Sequence, residues 1–160
     1  MSHSLLLPHR YKKPGWLIMI PAFVLGVLSM SAGFEEPSWL NIRVLSLLPV
    51  AQGAGRAHFF NIINSNITNT LLGVFFILGG LMVGFSREKQ EDEFIASLRL
   101  SSLLWAVLLN YIILLACFLL IYDTGFFMVM IYNMFTTLLI FILRFNYLLY
   151  RNTKMLAREK

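Results

Sequence analysis

The sequence predicts an all-α integral membrane protein, a four-helix bundle with both termini cytoplasmic and one longer external loop. Hydrophobic residues make up 58% of its 160 residues, charged residues only 13%, and the mean hydropathy is +0.73. Soluble domains carry about twice that share of charge, and one of this length could not bury so much apolar surface. The length fits a single transmembrane domain.

Four apolar segments reach the roughly 20 residues that a spanning helix needs. We place these spans at about residues 15–33, 67–85, 102–122 and 125–145. The third continues a charged stretch, so one helix is expected from Glu91 to Tyr122. The very short link after it predicts an antiparallel hairpin with the fourth span. The first segment also has the features of a secretory signal peptide, and its cleavage would leave three spans.

The distribution of Lys and Arg predicts the orientation. Eleven of the thirteen precede the first span, separate the second from the third, or end the fourth and follow it. Because cytoplasmic loops carry the excess of positive charge, both termini are expected in the cytoplasm, with the chain in the bacterial inner (plasma) membrane. The basic residues expected at lipid headgroups are Arg10, Lys12, Lys13, Arg144 and Arg151. The charge of +5 is therefore assigned to the bilayer, and no direct nucleic-acid partner is expected.

The external loop, residues 34–66, is too long for a simple connection. Apolar and polar residues alternate from Leu40 to Val44, which indicates a short strand or an interfacial segment. The Asn-rich segment 59–70 is expected to be a helical lead-in to the second span. The loop is either a sensing or docking surface, or a cap over the outer end of the bundle.

Every span carries one narrow face of small or polar residues, at intervals of three, four and seven. Lipid tails leave little hydrophobic drive for helix association, so such faces are expected to supply the close packing. The packing residues assigned in this way are Gly26, Gly73, Gly80, Gly84 and Ala106.

Depth along the hairpin places three polar side chains near mid-membrane, namely Asn110, Asn133 and Thr137. We expect Asn110 to pair with Asn133 or Thr137, because an amide without a partner is costly there. The alternative is that these groups line a cavity for a polar ligand.

The search for reaction chemistry returns no catalytic residue, no metal site and no cofactor. The three histidines are scattered, and the sequence contains no phosphate-binding loop, nucleophile elbow or paired cysteines. Within the four spans, Arg144 is the only ionisable residue of the Asp, Glu, Lys, Arg and His types. Ion-coupled transporters usually need such groups along their pathway, which argues against a transporter acting alone.

The strongest local constellation is the charged segment 86–99, predicted to be a cytoplasmic amphipathic helix leading into the third span. It is either a solvated helix or a docking site for a protein partner. The docking residues would be Glu91, Asp92, Glu93, Phe94 and Arg99.

Two segments, FSREKQEDEFIASLRLSSLLWAVLLNY and YNMFTTLLIFILRF, resemble an uncharacterised family of small bacterial four-span membrane proteins. The matching features are the acidic start of the third span, Asn110-Tyr111, the run Asn133 to Thr136, and Arg144-Phe145. The resemblance covers residues 67–150 and carries no catalytic residues. Members of that family are often encoded beside small helix-turn-helix regulators, so the resemblance implies a regulatory role.

These observations predict a non-enzymatic sensory or regulatory protein that signals through residues 86–99 to a cytoplasmic regulator. The first alternative is an accessory or structural subunit of a larger membrane complex. The second is a small permease or a lipid-modifying enzyme. The sequence leaves a homo-oligomer open.

Overall fold

The computed structural model describes residues 6–31, 37–47, 60–89, 91–121 and 124–158. These residues form four α-helices: α1 (Lys12–Ser31), α2 (Thr68–Gly84), α3 (Glu93–Leu120) and α4 (Thr124–Arg158). Within that part of the chain, three segments are long and apolar enough to cross a membrane: His9–Ser29, Glu93–Leu120 and Val129–Met155. The shorter apolar helix α2 has 17 residues. The protein is therefore mostly helical, with three helices of membrane-spanning length.

A small antiparallel sheet joins β1 (Asn41–Ser46) to β2 (Asn61–Asn66), with Asn41 opposite Asn66. The strand β1 overlaps the alternating segment of the sequence. The helical lead-in predicted over 59–70 is wrong for residues 61–66, which form β2, and the mostly helical chain therefore also contains this small sheet. Asn favours local hydrogen bonds over a helix interior, and β-branched Ile62 and Ile63 suit a strand. The side-chain oxygen of Asn66 accepts a hydrogen bond from Thr68 N at 2.9 Å, which ends the strand and starts α2.

The fourth helix extends well beyond the span predicted for it. It continues through the basic tail to Arg158, for 35 residues in all. At 1.5 Å per residue this is about 52 Å, against about 30 Å for the hydrocarbon core of a bilayer. The last turns of α4 are therefore a helical extension and not a loose tail. The connection at 122–123, residues 32–36, the loop residues 48–59 with Arg56 and His58, and the extreme termini lie outside the described residues.

The chain divides into two compact units. The first comprises Met1–Met19 and Ile77–Lys160, and its core contains Phe141, Ile142 and Phe145 of α4 with Val83 of α2, all at most 1% exposed. Here α3 and α4 run antiparallel, since Phe118 packs edge-on against Phe126 while Arg99 lies over Phe145.

The second unit, Ile20–Phe76, contains the small sheet and the adjoining parts of α1 and α2. The rings of Phe23 and Phe76 lie 6.0 Å apart. The Ser29 hydroxyl donates to Asn69 Oδ1 at 3.3 Å. Within this unit α1 and α2 are therefore joined by an aromatic contact and by a polar one.

Candidate functional site

The segment before α1 is bound to the connection between α2 and α3. Leu7 N donates to Phe85 O at 2.9 Å, and Arg87 N donates to Leu7 O at 2.8 Å, so that Leu7 forms a parallel bridge with Ser86. Nδ1 of His9 donates to Arg87 O at 2.9 Å. Lys12 forms an ion pair with Glu88. We call this region, residues 6–12 with 85–89 and 91, the N-terminal clamp.

A buried ion pair anchors the clamp to α3. Arg99 binds both carboxylate oxygens of Glu91, with Nη1 at 2.8 Å from Oε1 and Nη2 at 3.4 Å from Oε2. The side chains are only 10% and 14% exposed. Nη2 of Arg99 also donates to Ser86 O at 3.2 Å, and the guanidinium carbon lies 5.1 Å from the ring centre of Phe145. One side chain thus joins the clamp, α3 and α4.

The helix predicted over 86–99 is therefore wrong in its first half. Residues 86–89 and 91 are not helical, and α3 begins at Glu93 with Asp92 as its N-cap. The backbone N–H of Arg87 is taken by Leu7, and that of Glu88 donates to Oε2 of Glu91 at 2.8 Å, so neither supports a helical turn.

The docking residues predicted from the sequence fall into two groups. Glu91 and Arg99 form the buried pair, and Arg99 is only 8% exposed, so neither belongs to an open docking face. Asp92, Glu93 and Phe94 are exposed together at the start of α3, with Phe94 at 55%. This acidic and aromatic group, Asp92 to Phe94, is the part of the predicted site that remains accessible.

The basic residues assigned to lipid headgroups differ in their surroundings. Arg10, Lys13 and Arg151 are exposed, as a headgroup contact requires. Lys12 is instead paired with Glu88 inside the clamp. Arg144 lies against Trp105 of α3, with its guanidinium carbon 4.5 Å from the indole centre.

Asn110 and Asn133 pair across α3 and α4. Each amide nitrogen donates to the carbonyl oxygen of the other, at 3.2 and 3.1 Å. Asn110 is 6% exposed and Asn133 half-buried, and the pair uses Asn133 and not Thr137. Such bonds contribute on average about 0.6 kcal/mol and at most about 1.7 kcal/mol in membrane proteins. The reciprocal bonds set the register of the two helices.

The glycines predicted to pack helices behave differently from one another. A Cβ at Gly80 would lie 2.5 Å from Leu138 Cδ2, and one at Gly84 would lie 2.6 Å from Phe141 Cε1, so the GxxxG segment of α2 packs against α4 of the same chain. Ala106 is fully buried and Gly73 half-buried. The assignment of Gly26 is wrong, because no atom of the described residues lies within 4 Å of a Cβ built there.

Residue spacing did not predict the role of Gly79, where the backbones of α1 and α2 come close together. A Cβ at Gly79 would lie 2.8 Å from Met19 N and 3.0 Å from Gly15 O. A Cβ at Gly15 would in turn lie 3.0 Å from Gly79 O. The pair of adjacent glycines, 79 and 80, was the signal in the sequence that α2 packs closely on two sides. Gly79 lies against α1 and Gly80 against α4.

Within the described residues, no three His, Cys, Asp or Glu side chains converge as a metal site would require. The charged groups of this region are held in ion pairs or exposed at the start of α3. The chain matches no protein-family model, no curated protein and no solved structure, so its function is argued from these contacts alone.

Proposed function

We propose that the chain is a four-span protein of the bacterial inner membrane that reports a membrane or external state to a soluble cytoplasmic partner. It carries out no catalysis, and residues Asp92 to Phe94 dock the partner. The observation that carries the proposal is the position of this exposed acidic and aromatic group. It lies at the first turn of α3, directly beside the buried Arg99–Glu91 pair.

The proposed fourth span is α2. Its 17 residues lie at the lower limit for a spanning helix, and apolar Ile67 and Phe85 flank it. Support comes from the first unit, where Leu7 bridges Ser86 while Met19 lies beside Gly79, so that α2 runs antiparallel to α1. If α1 crosses the bilayer in one direction, α2 returns in the other. Both termini and the α2–α3 connection are then cytoplasmic, in agreement with the distribution of Lys and Arg.

This topology predicts the behaviour of reporter fusions. An enzyme active only in the cytoplasm should be active after Lys160 and inactive when inserted at Asp123, and an enzyme active only outside should give the reverse pattern. An insertion at Gly53 is the control and should behave like the one at Asp123. Activity of the same reporter at both Lys160 and Asp123 would refute the four-span arrangement.

The chemistry of the exposed group indicates the kind of partner. Asp92 and Glu93 would be repelled by the anionic headgroups of the inner leaflet, so they face the cytosol more favourably than the membrane surface. A protein with a basic surface and an apolar recess for Phe94 complements them. Because α3 is a continuous helix of 28 residues, about 42 Å long, its displacement in the bilayer would move the docking group as well.

The docking proposal is tested with a photoreactive amino acid at Phe94 in the native host. A cross-link to a soluble protein is expected, reduced at least tenfold by Asp92→Asn with Glu93→Gln. Asn retains the N-cap, so this variant removes charge and preserves α3. The matched control, Arg151→Gln with Lys154→Gln, alters two exposed charges of α4 and should leave the cross-link intact.

Two outcomes would contradict this proposal. Cross-links confined to large membrane subunits would identify the chain as an accessory subunit. Equal loss in the acidic and basic variants would show that charge at Asp92 and Glu93 has no specific role.

A further inference from the structure

Trp105 of α3 lines two grooves, one between α3 and α4, which Arg144 also lines, and one formed by α3 alone. We propose that Arg144 and Trp105 form a binding site for one anionic phospholipid of the cytoplasmic leaflet, with the lipid phosphate at the guanidinium. The assignment to that leaflet rests on the proposed orientation. The binding itself depends only on contacts within the first unit.

Arg144 is a cation without an anion in the described part of the chain. The ion pairs recorded there join Lys12 to Glu88 and Arg99 to Glu91. The Nε of Arg144 is buried and has no hydrogen-bond partner among these residues. Trp105 lies over one face of the guanidinium, and the planar fork of N–H donors of an arginine suits a phosphate. Since a buried donor without a partner is costly, the position favours an anionic ligand.

The groove beside Arg144 has an apolar wall. Its volume is about 240 Å³, and it is lined by Trp105, Leu109, Ile140, Leu143 and Arg144. A free phosphate would leave the leucine and isoleucine side chains uncovered, whereas an acyl chain would cover them. The groove therefore has a cation at one end, which suits a lipid phosphate, and aliphatic side chains along its wall, which suit an acyl chain.

A second groove, of about 430 Å³, also has Trp105 in its lining. Ser97 and Ser101 line it toward the start of α3, and Leu104 and Leu108 line it further along the helix. In the first groove, Arg144 lies C-terminal to Ile140 on α4, which runs antiparallel to α3. The polar ends of both grooves therefore point to the same end of the helices. Because Trp105 lines both grooves, one lipid can place its phosphate at Arg144 and one acyl chain in each groove.

The test is native mass spectrometry of the full chain, purified in detergent and titrated with dioleoyl phosphatidylglycerol or dioleoyl phosphatidylcholine. Wild type should bind one phosphatidylglycerol at least tenfold more tightly than phosphatidylcholine. Arg144→Gln should abolish this preference. Arg151→Gln, about two turns further along α4 at an exposed position, should retain it. Arg144→Lys should show a reduced preference, because Lys keeps the charge and loses the planar fork.

Several results would overturn the lipid site. These are equal affinity of wild type for the two lipids, an equal effect of Arg144→Gln and Arg151→Gln, or displacement of the lipid by inorganic phosphate at the same concentration. Circular dichroism identifies any variant that does not fold, and Arg144→Lys then provides the comparison. The measurement requires neither a partner nor an orientation, so its failure would leave the docking proposal standing, and a failed cross-link would leave the lipid site standing.

Discussion

Replacing Glu91 by Gln is expected to lower the free energy of unfolding by about 3–5 kcal/mol, because it leaves Arg99 as a buried charge without a counter-ion. The side chains of the pair are 10% and 14% exposed, so water can replace little of the lost interaction. The Ser86 carbonyl at 3.2 Å would remain as an acceptor but carries no full charge. Unfolding in mixed micelles, followed by circular dichroism, measures the change.

The control for this substitution is Glu93→Gln, which removes the same charge from an exposed position two residues away. It should alter stability much less. The double variant Glu91→Gln with Arg99→Met removes both charges, and should be more stable than Glu91→Gln alone. If Glu91→Gln and Glu93→Gln have equal effects, the buried pair does not hold the clamp.

The helices could be predicted from the sequence because length and apolar content decide which segments suit a bilayer. One helix was expected from Glu91 to Tyr122, and α3 extends from Glu93 to Leu120. The extension of α4 was not predicted, because the criterion was hydropathy and the tail is polar. Its Lys, Met, Leu, Ala and Arg residues are nevertheless good helix formers, and that property was the missed signal.

The N-terminal clamp could not be predicted, because Leu7 and Ser86 lie far apart in sequence and meet only where α1 approaches α2. The sequence also does not show whether a charged side chain is buried or exposed. The charge of Arg99 led to its assignment to a docking surface. In the structure its side chain is buried and forms an ion pair with Glu91, eight residues earlier. The group Asp92 to Phe94 lies at the start of α3, with Asp92 as the N-cap, and all three residues are exposed.

The contact of Asn110 with Asn133 could be predicted from the sequence, because the very short link between α3 and α4 fixes the depth of each residue relative to the other. The packing partners of the glycines could not be predicted in the same way. In a helix that is apolar on all sides, periodicity shows which residues share a face but not whether that face meets a helix or lipid. Gly26 was predicted to pack against a helix and does not, whereas Gly79 was not predicted to do so and does.

Gly79→Ala and Gly26→Ala are expected to change stability in opposite directions. At Gly79 the new methyl would lie 2.8 Å from Met19 N and 3.0 Å from Gly15 O, so it meets backbone that cannot move without separating α1 from α2. Overpacking of this kind costs about 1–3 kcal/mol. At Gly26 the methyl meets open space, and only the higher helix propensity of Ala acts, a gain of up to about 1 kcal/mol.

The same unfolding measurement in mixed micelles checks both substitutions. The comparison is informative because the two variants make the same chemical change, so propensity and hydrophobicity cancel between them and the remaining difference reports the contact of α1 with α2. Gly80→Ala should also destabilise, but by less, since its methyl meets the end of the flexible Leu138 side chain. A stabilising effect at Gly79 would mean that α1 and α2 are not held in backbone contact, and the support for α2 as an antiparallel span would be lost.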